Sequence, residues 1–220
     1  MQEKYFGDFT DFYKFFFLKN IIGKYKLGIN WCLTPNDETN DGNKKIENKL
    51  KLEKIDTVLY NILLKRKFSD IIKYFNENNI KDYREEYKIF HLEYKYETDA
   101  FNKLKKQDII FFDPDTGIEM PSKKLSERYK YISYRTITKY WNEKKTLIIF
   151  QHKDRKKNAL NEKKENLINC LDCSKNDILI VNTRKVYYIC IINKKHISIK
   201  TSIKDFCKKY SNIGYKIEIL

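Results

Sequence analysis

Asp108-Ile-Ile-Phe-Phe-Asp113-Pro-Asp115-Thr-Gly117-Ile-Glu119 sets four consecutive apolar residues before a turn that carries three carboxylates and a glycine. An unbroken apolar run of this length suits a strand buried on both faces, as in a parallel sheet covered by helices. Such a strand delivers Asp113, Asp115 and Glu119 to its carboxyl end. In an open α/β sheet, ligands bind in the crevice beyond the carboxyl ends of the strands. The turn is therefore the first candidate for a functional site. The competing reading is a polar turn, with Asp113 and Asp115 accepting from backbone N–H groups and Gly117 supplying positive φ.

Two further strands are expected to end at the same edge. Lys26 to Leu33 reads as a strand that stops at Thr34-Pro-Asn36-Asp37, and Thr146 to Phe150 as one that stops at Gln151-His152. Helical spacing precedes and separates them. Asp8 is a candidate N-cap for a helix running to about Ile22, with Asp11 as its capping-box partner and Gly23 as its stop. Residues 46–79 keep helical spacing, Lys88 to Leu92 reads as a short strand, and 98–106, 129–141, 157–170 and 202–210 read as helices. Asp177 to Val181 and Lys185 to Ile192 form a strand pair around Asn182-Thr-Arg184, and Tyr215 to Ile219 a last strand. This order predicts a three-layer, Rossmann-like α/β fold: a mostly parallel sheet closed by a C-terminal antiparallel pair. One domain over 1–220 is expected, with a helical insertion at about 46–85.

The bulk properties narrow the function. The chain has 220 residues, 41% hydrophobic and 15% aromatic, enough for a sizeable core. The sequence shows no signal-peptide pattern and no apolar run long enough for a membrane span, so a cytoplasmic location is expected. Five cysteines include Cys170-Leu-Asp-Cys173, a lone C-x-x-C, and read as reduced thiols rather than a zinc site. The net charge of +15 points to an acidic partner, nucleic acid first. Lysine supplies nearly all of it, which favours contact with a phosphate backbone over reading of base edges. Lys153 to Lys157, with Arg155, is a candidate phosphate-contact loop. Lys14 lies among Phe12, Phe15, Phe16 and Phe17, so its ammonium must snorkel out or enter a polar pocket.

Two pieces carry a family resemblance. Gly7-Asp8-x-x-Asp11-x-x-Lys14 resembles the N-terminal G-N-x-x-D-x-x-K-H of the ribosomal RNA large subunit methyltransferase J family. These are class I S-adenosylmethionine-dependent enzymes that modify an adenine N6. Asp113-Pro114-Asp115-Thr116 is similar in place to their D-P-P-Y motif. Most of the chain is also similar to an uncharacterised group of bacterial and phage proteins with G-D-x-x-D-x-x-K, W-x-L-T-P-x-D, F-x-D-P-D-x-G-x-E and Q-H-x-x-R. The resemblance implies a class I methyltransferase-like sheet and S-adenosylmethionine as cofactor. It implies Asp113, Asp115, Lys14 and His152 at the reacting centre, and Gly7, Asp8, Asp11, Thr34, Asn36 and Asp37 toward the cofactor. Gln151, Arg155, Glu119 and Tyr134 would then face the substrate. The chain departs from the family after the first strand, where Leu33-Thr-Pro-Asn-Asp37 lacks the glycine-rich turn. It also places Asp115 and Thr116 where the family has proline and tyrosine, leaving Phe112 or Tyr134 to stack a base.

Three functions are therefore expected as alternatives. The first is a methyltransferase acting on nucleic acid. The second is a methyltransferase-like fold without catalysis, binding nucleic acid, a nucleotide or a protein partner in a phage or mobile-element setting. The third is a phosphodiesterase holding Mg²⁺ or Mn²⁺ on Asp113, Asp115 and Glu119.

Overall fold

Seven strands form one twisted sheet whose order departs from chain order in a way that creates a crevice. The computed structural model describes residues 2–35, 46, 50–75, 79–85, 93–120, 125–154, 156, 158–183 and 185–218. Helix α1 (Phe9–Ile21) leads into β1 (Leu27–Asn30). Three short helices follow: α2 (Leu50–Glu53), α3 (Thr57–Leu64) and α4 (Phe68–Tyr74). They lead to β2 (Ile80–Tyr83). Helix α5 (Glu93–Leu104) precedes β3 (Ile109–Phe112), and a small pair, β4 (Gly117–Ile118) and β5 (Tyr131–Ile132), precedes α6 (Tyr134–Asn142). Then come β6 (Thr146–His152), α7 (Ala159–Leu171), β7 (Ile178–Asn182), β8 (Val186–Ile191), α8 (Ser198–Lys209) and β9 (Lys216–Glu218).

The sheet order is β2-β1-β3-β6-β8-β7-β9. Strands β2, β1, β3 and β6 are parallel, and the β8, β7 and β9 pairings are antiparallel. After β1 the chain adds β2 on one side and β3 on the other. The order therefore reverses between β1 and β3, the place where open α/β sheets hold ligands. The fold is α/β with a mostly parallel mixed sheet, compatible with a Rossmann-like architecture.

Alternation along the strands sorts the core into two layers. Ile109, Phe111, Ile148, Phe150, Tyr188 and Cys190 face α1, α3, α4 and α8. Ile110, Phe112, Leu147, Ile149, Ile189 and Ile191 face α5, α6 and α7. Strands β1 and β3 are buried at every position, as expected of parallel strands covered on both sides. On the first layer, Phe17 stacks on Tyr188 with ring centroids 5.0 Å apart, and Phe15 packs edge-on to Trp31 at 5.8 Å.

Several expectations change. The segment read as a helical insertion also contains β2, an integral strand paired to β1 in register Leu27 with Ile80. Ile80-Lys-Asp-Tyr83 buries only its two ends, so its pattern is faint. The strand expected at 88–92 lies outside the described residues. The helix expected over 129–141 begins at Tyr134, because Tyr131 and Ile132 pair with Gly117 and Ile118. Asp11 does not complete a capping box. Asp8 accepts from the N–H groups of Thr10 and Asp11 at 2.7 and 2.9 Å, while Asp11 accepts from Gly7 N–H at 2.8 Å. Among the described residues, no helix is long and apolar enough to cross a membrane.

Gly117 fixes how β4 meets β6. Its φ is +136°, and a Cβ there would lie 2.2 Å from Gln151 Oε1, the atom that accepts from Ile118 N–H at 2.9 Å. Gly117→Ala should cost at least about 2 kcal/mol through strain and loss of this bond. Gly23→Ala, also at positive φ but in open space, should cost about 1–2 kcal/mol. Urea midpoints of the two variants check the ranking, and equal losses would contradict it.

Candidate functional site

Helix α1 places an ammonium beneath the end of β3. Asp11 and Lys14 are one turn apart, so both fall on the helix face turned to the sheet. Lys14 Nζ donates to Asp11 Oδ1 at 2.6 Å and to Asp113 Oδ2 at 2.7 Å. All three side chains are buried, each at most 4% exposed. The rings of Phe150 and Phe15 lie 5.0 and 5.6 Å from the same nitrogen. Burial alone pushes the Lys14 pKa down, but the two carboxylates outweigh it and hold it above the ordinary lysine value. Burial likewise raises Asp113 against the pull of Lys14.

Gly7 is required at the entrance to α1. It adopts φ +87°, and a Cβ would meet the Leu63 carbonyl oxygen at 2.5 Å. Its N–H donates to the second oxygen of Asp11, so the carboxylate is gripped from both sides.

Above this triad opens a cleft of about 290 Å³, lined by Tyr5, Asp8, Asp11, Lys14, Asp113, Pro114, Asp115, Phe150 and His152, with Thr10 at its rim. Among the described residues its lining runs against the charge of the chain: four carboxylates and one lysine in a protein of net charge +15. Such a lining suits a ligand bearing an amine or another positive centre and opposes a phosphate. Thr34 reaches it from the end of β1, donating its hydroxyl to Asp115 at 3.2 Å. Asp8 is pushed up to about 7, first by burial and then by the neighbouring Asp11 charge. His152 ends β6 with its ring edge-on to Phe150 at 5.0 Å. The residue is exposed, but its ring loses enough solvation to lower its pKa below the ordinary value, against the opposing pull of Asp115. It is therefore mostly neutral at pH 7.

Of the residues singled out in the sequence, Asp8, Asp11, Lys14, Asp113, Asp115 and His152 come together here, with Gly7 and Thr34 supporting them. Asn36, Asp37 and Arg155 lie outside the described residues. Four others are committed elsewhere. Gln151 is fully buried on the opposite face of β6, and its amide bonds Ile118 N–H and the His152 carbonyl. Glu119 accepts from Tyr134 N–H at 2.7 Å and helps start α6. Phe112 and Tyr134 pack in the second core layer, so neither stacks a base in the cleft. The aromatic walls are Tyr5 and Phe150, which the sequence reading missed. Strand period was the available signal: Phe150 and His152 share a face, and Gln151 cannot. With Glu119 turned away, Asp113, Asp115 and Glu119 do not form a metal triad. No group of three or more His, Cys, Asp and Glu able to hold a metal occurs among the described residues.

The turn after β1 is made without glycine. Cys32 takes φ +45°, and its N–H is held at 3.1 Å by the Asn30 side chain, which also accepts from Tyr96. Comparison of the chain with protein-family models, curated proteins and solved structures gives no match.

Two outcomes follow from this geometry. Lys14→Met leaves two carboxylates buried without their shared cation and should destabilise by about 3–5 kcal/mol. Adding Asp113→Asn should recover part of that loss, so a denaturation double-mutant cycle should show coupling of at least about 1 kcal/mol. For Asp8, the folded pKa near 7 lies above the ordinary value of 3.8. Folding therefore disfavours its ionisation, and the associated stability is present below pH 4 and lost as pH rises through 7. Asp8→Asn keeps the cap but cannot ionise. Its Tm relative to the wild type should rise between pH 4 and pH 8; a flat difference would contradict the assignment.

Proposed function

We propose that the chain is a methyltransferase-like protein that takes an amine-bearing base of a nucleic acid into the acidic cleft beside Asp113. One observation carries this reading: Lys14 Nζ bonds Asp113 across 99 residues of sequence. The contact unites Gly7–Lys14 and Asp113–Thr116, the two pieces on which the resemblance to the ribosomal RNA methyltransferase family rests. The position of the cleft beside the order reversal at β1 and β3 supports it, as does antiparallel β8 inserted between β6 and β7.

The lining fits a sulfonium cofactor by charge, since carboxylates outnumber cations there. S-adenosylmethionine would supply the methyl group, while Thr34 bounds the described part of its expected side. The chain's own residues divide the remaining work. Asp113, held in one rotamer by Lys14, accepts a hydrogen bond from the target amine and orients its lone pair. Asp115 and Asp8 offset positive charge as it develops on that nitrogen. His152, neutral at pH 7, takes the proton the nitrogen releases once its new bond to carbon has formed. Tyr5 and Phe150 offer the apolar walls.

A second reading, a non-catalytic fold binding nucleic acid, a nucleotide or a protein, is favoured by the turn after β1. Cys32 is buried against the second core layer, so this turn lacks the bare glycine backbone that the methyltransferase family sets against its cofactor.

Titration calorimetry with S-adenosylmethionine and S-adenosylhomocysteine separates the two. Heat with either, together with methyl transfer to RNA or DNA that falls at least about 100-fold in Asp113→Asn, supports the first. No heat from well-folded protein that still binds an oligonucleotide supports the second.

A further inference from the structure

A second cavity lies on the same sheet edge and has the opposite character. It encloses about 300 Å³ and is lined by Lys153, Asn182, Ser211, Asn212, Gly214 and Lys216, with Thr183 at its base. Among the described residues, no carboxylate lines it. Lys153 and Lys216 make no ion pair among the described residues, and Asp154, next to Lys153, is held by Lys163 at 2.7 Å. The Lys153 ammonium rests 5.0 Å over the Tyr187 ring, which directs it along the surface. Gly214 closes the wall at φ +113°.

Its position relates it to the acidic cleft. Gln151, Tyr187, Asn182 and Lys216 are successive cross-strand partners on β6, β8, β7 and β9. They form one row along the carboxyl edge of the parallel strands. Adjacent strands are about 4.8 Å apart, so β6 and β9 are separated by roughly 14 Å, about four nucleotides at the 3.4 Å rise of one strand. His152 lines the acidic cleft and Lys153, the next residue, lines the basic cavity. One dipeptide thus joins a pocket that repels phosphate to one that attracts it.

We propose that this second cavity is a phosphodiester subsite. It grips the backbone of a single-stranded nucleic acid a few nucleotides from the base that enters the acidic cleft. Lys153 and Lys216 supply the charge, and the side chains of Asn182 and Asn212 supply neutral donors. The inference rests on the nucleic-acid part of the proposed function and is independent of whether methyl transfer occurs.

The test compares three proteins by fluorescence anisotropy with short single-stranded RNA and DNA oligonucleotides over a range of KCl concentrations. These are the wild type, Lys153→Gln/Lys216→Gln, and the charge-matched control Lys105→Gln/Lys106→Gln, whose exposed lysines precede β3 at the opposite edge. The subsite variant should lose at least tenfold in affinity at low salt. Its slope of log K against log salt should fall by about 1.4, two contacts at about 0.7 each, while the control changes little. A larger effect on RNA than on DNA, or the reverse, identifies the backbone it serves. Equal losses in the two variants overturn the subsite and leave the proposed function standing. No oligonucleotide binding by the wild type overturns the subsite together with the nucleic-acid reading. Calorimetric heat with S-adenosylmethionine, measured on the same samples, judges methyl transfer separately.

Discussion

The acidic cleft depends on the Lys14 ammonium being buried between two carboxylates. Moving that charge out of water costs several kcal/mol, and the cost is offset only while both Asp11 and Asp113 are in place. The bonds tie the first helix to the central strand at one point and one angle. They also fix the Asp113 side chain, because a carboxylate bonded at 2.7 Å to a buried cation has little rotational freedom. The aromatic packing of α1 on the sheet supplies adhesion without such direction. The ion pair adds a directed contact between α1 and the end of β3.

The second constraint is the distribution of charge. A net charge of +15 describes the surface as a whole but conceals four carboxylates gathered in one cleft. Asp8 and Asp115 are partly buried there beside Asp113, and the raised pKa of Asp8 reflects first its burial and then the neighbouring Asp11 charge. A cleft that stores like charge in this way is best relieved by a positive ligand. The cavity around Lys153 and Lys216, with no acid among its described lining residues, gives the same edge a contrasting end.

The fold was legible where the chain is buried on both faces. Strands β3 and β6 announce themselves as unbroken apolar runs, β1 as a largely apolar stretch interrupted by Asn30, and α1 by its cap and aromatic face. Strand β2 was not, because an edge strand burying only Ile80 and Tyr83 has too little pattern to register. Strands β4 and β5 are two residues each and exist through tertiary pairing. At the site, Asp113, Asp115, Lys14 and His152 could be singled out from their strand ends and neighbours. Gln151 and Glu119 were drawn in by nearness in sequence. Gln151 points away from the cleft because successive strand residues alternate in direction, Glu119 lies beyond the end of β4, and their side-chain oxygens accept from backbone N–H groups. Tyr5 and Phe150 escaped notice because an aromatic wall looks like core until the acids opposite it are placed.

The first helix is also clasped from the far end of the chain, since the Tyr215 hydroxyl donates to the Tyr13 carbonyl at 2.6 Å. Helix α1 is thus locked by one partner 99 residues later and another 202 residues later. On the ribosome, α1 emerges with a bare lysine and a row of phenylalanines and has nowhere to bury either. It must wait until Asp113 and Tyr215 have left the exit tunnel, a delay in which nascent-chain chaperones find their usual apolar target.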